Sequence, residues 1–546
     1  MTSTTAQAAV PFHVYDTTLR DGAQQEGLTL SVHDKLAIAA HLDELGVGFI
    51  EGGWPGANPR DTEFFARART DLQLRHAVLA AFGSTRRVGG NAADDPQVRA
   101  LLQSEAPVVT LVAKSHDGHV AKALRTTPAE NLAMIADTVA FLHGEGRRVF
   151  LDAEHFFDGY LRDPVYALAS LDAAIGAGAE VVALCDTNGG MLPHRLADVV
   201  GEVVSRLGSA ALVGIHCHND TGCAVANTLA AVDVGATHVQ GTLNGYGERT
   251  GNADLVTIVA NLQLKKDMPG FAGAGLAEAT RICHAVSEIT NIPPYSRQPY
   301  VGMSAFAHKA GLHASAIKVD PDLYQHTTPQ LVGNDMRMLV SDMAGRASVE
   351  MKSAELGYDL AGDRDLLTRI TERVKADELA GYTYEAADAS FELLVREEVD
   401  GERPSFFDVE SWRVHTESRT DGQALSEATV KLRARGRRYV VTGEGNGPVN
   451  ALDAALRVAI VDAFPEVDRF ELIDYRVRIL DSSHGTDATI RVLIECTDGE
   501  DSWETVGVGT NIIEASWEAL VDSVTYGLLR HHDAQRPVPA NAGSEV

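Results

Sequence analysis

Cysteine is scarce and scattered. The 546 residues hold five, Cys185, Cys217, Cys223, Cys283 and Cys496, with no CxxC pair. That excludes a paired-cysteine framework and predicts reduced thiols in a cytoplasmic protein. Positive charge is short as well. Lys and Arg number 47 against 76 Asp and Glu, for a net charge of -29, which excludes nucleic acid and an anionic membrane surface as partners. Anionic substrates stay open, since one arginine, lysine or metal can dominate inside a cleft. No run is long and apolar enough to span a bilayer. Met1 to Val10 is small and polar, without the basic start and apolar stretch of a signal peptide. The first turn, Thr18-Leu-Arg-Asp-Gly22, is no dinucleotide fingerprint. Gly443-Glu-Gly-Asn-Gly-Pro448 lacks the GK[ST] ending of a P-loop and is predicted to be a strand-to-helix turn.

What is present is a repeat. The length suits two or three domains, and 45% hydrophobic residues allow a large core. From Phe12 to about Leu264, an apolar run ends in a polar or glycine-containing turn and an amphipathic segment follows. The predicted strands are Phe12–Asp16, Val47–Glu51, His76–Phe82, Val108–Lys114, Arg148–Glu154, Val181–Asp186, Leu212–His218 and Thr237–Leu243. Eight such units predict an α/β fold, a (β/α)8 TIM barrel, over residues 12–267; a doubly wound open sheet is the alternative. Residues 268–380 are predicted to form a helical linker subdomain. From 381 to 535 alternating strands, Ala389–Val395 among them, interleave with two helical segments as a C-terminal α+β domain. Residues 1–11 and 536–546 are predicted to be disordered.

Barrel enzymes carry their sites at the C-terminal ends of the strands. Those ends read Arg20 and Asp21, Glu51, Gly83, Lys114, Glu154, Asp186 with Thr187, His216 with His218, and Asn244. His216 and His218 are spaced i, i+2, so an extended backbone puts both imidazoles on one side, half of a divalent-metal site. Cys217 between them faces the other way and is predicted to pack. For Asn252 taken alone, a helix N-cap is the alternative role.

Asp16-Thr-Thr-Leu-Arg-Asp-Gly22 with Gln24, the His216-x-His218-Asn-Asp block and Gly245-Tyr-Gly-Glu-Arg-Thr-Gly-Asn-Ala253 together resemble the metal-dependent 2-isopropylmalate, homocitrate and citramalate synthases. These are barrel enzymes that condense acetyl-CoA with a 2-oxo acid. Lys114-Ser-His-Asp-Gly-His-Val120 and Asp152-Ala-Glu-His-Phe-Phe-Asp-Gly-Tyr160 are most similar to the citramalate branch. The resemblance implies a divalent metal, Mn or Mg first, Co or Zn otherwise, held by Asp21, His216, His218 and Asn252. It implies Arg20 on the developing alkoxide and Glu154, His313 and Tyr324 in proton transfer. His313 is chosen by the Gly311-x-His313 match and Tyr324 by spacing. Thr187 is implied to bind the substrate carboxylate, and Gln24 and Glu51 to shape the pocket or hold Arg20.

The implied reaction is a Claisen-type condensation of acetyl-CoA with pyruvate, giving (R)-citramalate and CoA for isoleucine biosynthesis. The alternative is the 2-isopropylmalate reaction with 2-oxoisovalerate, for leucine; a lyase or aldolase of the 3-hydroxy-3-methylglutaryl-CoA lyase kind and a non-catalytic sensor are remoter. The C-terminal domain resembles the dimerising, feedback-binding domain of the same enzymes. It implies a homodimer and an inhibitor, isoleucine or leucine.

Overall fold

The computed structural model describes residues 12–273, 275–418, 424–480 and 487–534. The predicted disordered ends therefore lie outside the described residues. The chain divides into two compact units. The first runs to Phe306 and takes in Thr327–Asp335; the second is Ala307–His326 together with the chain from Met336 onward.

The first unit is a closed barrel of eight parallel strands in sequence order: β1 His13–Asp16, β2 Phe49–Gly53, β3 Val78–Ser84, β4 Val108–Lys114, β5 Arg148–Glu154, β6 Val181–Asp186, β7 Leu212–Cys217 and β8 His238–Gly241. Closure comes from β1 pairing with β8, Tyr15 opposite Gln240. Helices cover the outside, so the strands are buried on both faces and read as near-continuous apolar runs. Every residue of β6 is buried. Inside the barrel Tyr15, Phe49, Ala80, Val108, Phe150 and Val181 form a layer of their own. Their neighbours Ile50, Val109, Leu151 and Leu184 belong to the larger cluster outside it, packed against the helices.

Pro59, Pro96, Pro128, Pro164 and Pro193 each open a helix at its first turn, where the missing N–H has no partner to lose. Ser31 and Asp34 form a reciprocal capping box at the start of the helix Val32–Leu45.

In the second unit, helices Arg346–Glu355, Arg364–Ala380 and Asp388–Asp400 precede two three-stranded antiparallel sheets. The first sheet is Phe407–Ser418, Ala424–Ala434 and Arg437–Gly445; the second is Glu471–Ile479, Ile490–Thr497 and Ser502–Gly509. Helices Pro448–Ile460 and Ile512–Ala534 share their core. The Gly443–Pro448 stretch is the strand-to-helix passage. Ala389–Val395, predicted as a strand, lies in the helix Asp388–Asp400 instead. All seven of its residues are buried, and a short run buried all round shows no 3.6-residue period to tell it from a strand. Among the described residues no helix is long and apolar enough to cross a membrane.

Candidate active site

The mouth of the barrel is organised by its first turn. Asp16, the last residue of β1, accepts from the Thr18 backbone at 2.9 Å and from its hydroxyl at 2.8 Å. The same hydroxyl accepts from the Leu243 backbone at 2.8 Å, on the loop after β8. This ties the first and last loops together and aims Arg20 and Asp21 inward. Burial, only partly offset by those hydrogen bonds, raises the Asp16 carboxyl to about 7.

Asp21, His216 and His218 meet at the centre. The Asp21 carboxylate lies 3.2 Å from His216 Nε2 and 3.8 Å from His218 Nε2. The three are buried and offer donor atoms within 4.8 Å of one another. Asn252 reaches the same place through a backbone pairing with His218. Ala253 N donates to Cys217 O at 3.0 Å and Asn219 N to Gly251 O at 2.9 Å, which folds the loop 245–253 back onto the end of β7. The Asn252 Nδ2 donates to Tyr246 O at 3.0 Å, leaving Oδ1 buried with no hydrogen-bond partner among the described residues. Buried polar atoms are nearly always paired, so this oxygen, on the residue bridged to His218, suits a cation ligand. The set of nitrogen and oxygen donors without thiolate suits a borderline or hard divalent ion. Cys217 packs outward in the apolar layer, as its position on the strand predicts.

The charges agree with that reading. Burial disfavours the Asp21 anion, but Arg20 and the two imidazoles outweigh it and hold its carboxyl well below the usual carboxylate range. Burial, reinforced by His216, lowers His218 to about 4, so it is a neutral donor at neutral pH.

Arg20 is clamped from two sides. Its Nε donates to Glu51 at 2.6 Å, and its guanidinium carbon lies 3.8 Å above the Phe82 ring. Glu51 in turn accepts from the Tyr15 hydroxyl at 2.7 Å. Lys114 and Glu154 form an ion pair at the ends of β4 and β5. Thr187 Oγ1 accepts from His155 N at 2.9 Å, which leaves its own hydrogen to give, and Thr187 O accepts from Arg249 at 2.9 Å. Arg20, Phe82, Lys114, Glu154, Thr187 and Arg249 line one cavity of about 660 Å³, and the exposed Gln24 sits at its edge. Bulky apolar side chains, Trp54, Phe82, Val112, Leu124 and Met134, form much of its wall.

Two predicted site residues lie in the second unit. His313 and Tyr324 stack with ring centroids 4.1 Å apart. Asn244 belongs elsewhere. A backbone φ of 58° turns it away, and its amide donates to Cys283 O and Ser287 Oγ on the helix Ala279–Thr290. Sequence reasoning missed Phe82 under Arg20. It missed Arg86, whose charge is already engaged by Glu130 and Asp137. It missed Gln240, whose signal was a second polar i, i+2 pair, His238-x-Gln240, on the barrel face of β8.

Three family models tile the chain: HMGL-like over residues 12–285, homocitrate synthase post-HMGL domain-like over 300–380, and LeuA allosteric (dimerisation) domain over 385–528. An (R)-citramalate synthase of Streptomyces coelicolor is 65% identical over 95% of this chain and 97% of its own. One of Aquifex aeolicus is 48% identical over 95% and 98%. A 2-isopropylmalate synthase of Nitrobacter winogradskyi is 32% identical over 97% and 98%. The chain belongs to the citramalate/2-isopropylmalate synthase family. It is thus a condensing acyltransferase built on a TIM barrel, with a LeuA-type C-terminal domain.

Proposed function

We propose that the barrel site condenses acetyl-CoA with pyruvate to give (R)-citramalate and CoA, in the synthesis of isoleucine. One observation carries the mechanism: a clamped arginine beside a buried carboxylate, two imidazoles and an orphaned amide oxygen at the mouth of the barrel. A divalent cation held by Asp21, His216, His218 and Asn252, Mn or Mg before Co or Zn, would supply Lewis-acid polarisation of the keto group and a hold on the substrate carboxylate.

The chain's own residues do the rest. Arg20, fixed by Glu51 and Phe82, needs no reorganisation to meet the oxygen that becomes an alkoxide. Thr187 has a hydroxyl hydrogen to give to the substrate carboxylate. Glu154, at the end of β5 and lining the cavity, takes a proton from the acetyl methyl group, with Lys114 balancing its charge. His313 and Tyr324, which stack on each other in the second unit, are assigned to proton transfer by the family resemblance alone. The new bond joins the acetyl methyl carbon to the keto carbon, and the alkoxide takes a proton. Water then cleaves the thioester carbon–sulfur bond, releasing CoA and a carboxylate. Gln24 shapes the entrance. The bulky apolar wall favours the methyl group of pyruvate over the isopropyl group of 2-oxoisovalerate, and the identities to citramalate synthases point the same way.

The second unit is proposed to form the homodimer and to bind a branched-chain amino acid, isoleucine before leucine, lowering activity through linkage between the two sites. Incubating the purified protein with acetyl-CoA, pyruvate and Mn tests the assignment. Stoichiometric thiol and (R)-citramalate, identified by chiral chromatography with mass spectrometry, are expected. Neither product from a metal-loaded protein would refute it.

A further inference from the structure

Barrel interiors are filled mostly by bulky apolar side chains, yet a line of polar side chains runs through this one. His13 Nδ1 lies 3.4 Å from His238 Nδ1. His238 Nε2 lies 3.3 Å from Gln240 Nε2. The Gln240 amide nitrogen donates to Asp152 Oδ1 at 2.8 Å, and its oxygen lies 2.9 Å from His216 Nδ1. All five residues are buried, and His238 and Gln240 have no exposure at all. They come from four strands, β1, β5, β7 and β8.

The partners leave one neutral assignment. Ionised Asp152 only accepts, so it requires the NH2 end of Gln240. The second amide hydrogen then goes to His238 Nε2, which must be unprotonated. His238 Nδ1 therefore carries a hydrogen and gives it to His13 Nδ1. The Gln240 oxygen is left facing His216, so His216 Nδ1 carries a hydrogen, and Nε2 is the nitrogen turned toward Asp21, 3.2 Å away, where it would ligate a metal. Turning the amide over would set oxygen against carboxylate and reverse the imidazole.

We infer that Gln240, oriented by Asp152 and His238, is the positioning residue that holds His216 in its ligating tautomer. The inference rests on the metal site proposed above. A role in packing alone makes a different prediction, because filling the same space with an apolar side chain would then leave the site's affinity for metal intact. Outer partners of a ligating histidine typically change metal affinity by about 10- to 100-fold when removed.

The test is titration of the metal-free, full-length protein with Mn2+, reading free ion by electron paramagnetic resonance, with circular dichroism as the check on folding. Gln240→Leu should bind Mn2+ about 10- to 100-fold more weakly. The exchange Gln240→Glu with Asp152→Asn keeps an acceptor at His216 and a donor from position 152, and should recover most of the loss. Wild-type affinity in Gln240→Leu overturns the inference, as does an exchange variant as weak as Gln240→Leu. Should the leucine variant fail to fold, 15N-histidine NMR of the unmutated protein decides. A hydrogen on His216 Nδ1 is expected, and a His216 whose Nδ1 carries none overturns it. No Mn2+ binding by the unmutated protein overturns the metal site itself and this inference with it.

Discussion

Arg20 donates to Glu51 at 2.6 Å, and the Glu51 side chain has no contact with solvent. The pair is the fixed point of the mouth: Glu51 is held by Tyr15 from inside the barrel, and Arg20 lies flat on Phe82. Removing one member of a buried pair leaves the other uncompensated, at about 3 kcal/mol or more. Glu51→Gln should therefore lower the melting temperature in thermal scans and lower kcat together. Arg20→Lys keeps the charge but loses the planar fork. Its kcat should fall about 100-fold, the scale of a lost oxyanion donor, with a smaller change in KM.

Gly247 guards Asn252. A methyl group on it would lie 2.3 Å from the Asn252 amide nitrogen, and its φ of 149° favours glycine. Gly247→Ala should displace the amide oxygen and weaken divalent-metal binding by calorimetry, although residue 247 offers no ligand. Asn252→Ala should do the same with less effect on folding. Equal affinity in both variants and the parent would remove Asn252 from the site.

Asp16 sets a pH dependence of stability. Its carboxyl is raised to about 7 by burial, above its unfolded range of about 4, so the protonated form favours the fold. That contribution is full below the unfolded value and is lost as pH rises through about 7. Asp16→Asn cannot titrate. The melting temperature of the variant relative to wild type should therefore be more favourable at pH 8 than at pH 5. The opposite trend would show that Asp16 is stabilised as an anion.

Metal removal should be reversible. Dialysis against a chelator should abolish CoA release and leave the far-ultraviolet circular dichroism unchanged, because the large apolar cluster that holds strands and helices together contains none of the ligands. Mn or Mg should restore turnover. Activity that survives removal would refute the metal reading.

Much of this was legible in the sequence because barrel strands announce themselves. β4, β5 and β6 begin and end where their apolar runs do, and alternation alone puts His216 and His218 on one side. Asn244 was not legible, since its direction depends on a single left-handed backbone residue. The helix Asp388–Asp400 was hidden by burial on every side. Gln240 was hidden for another reason. The His238-x-Gln240 spacing puts it on one face with a histidine, but its role depends on Asp152, 88 positions away.

The central claim is that this site takes pyruvate. The most direct measurement is kcat/KM for CoA release with Mn, comparing pyruvate, 2-oxobutyrate, 2-oxoisovalerate and 2-oxoglutarate side by side. Pyruvate should lead. Against 2-oxoisovalerate the margin should be at least about 10-fold, since extra methyl groups must be forced against an apolar wall. Comparable or faster turnover of 2-oxoisovalerate would contradict the account and make this a 2-isopropylmalate synthase.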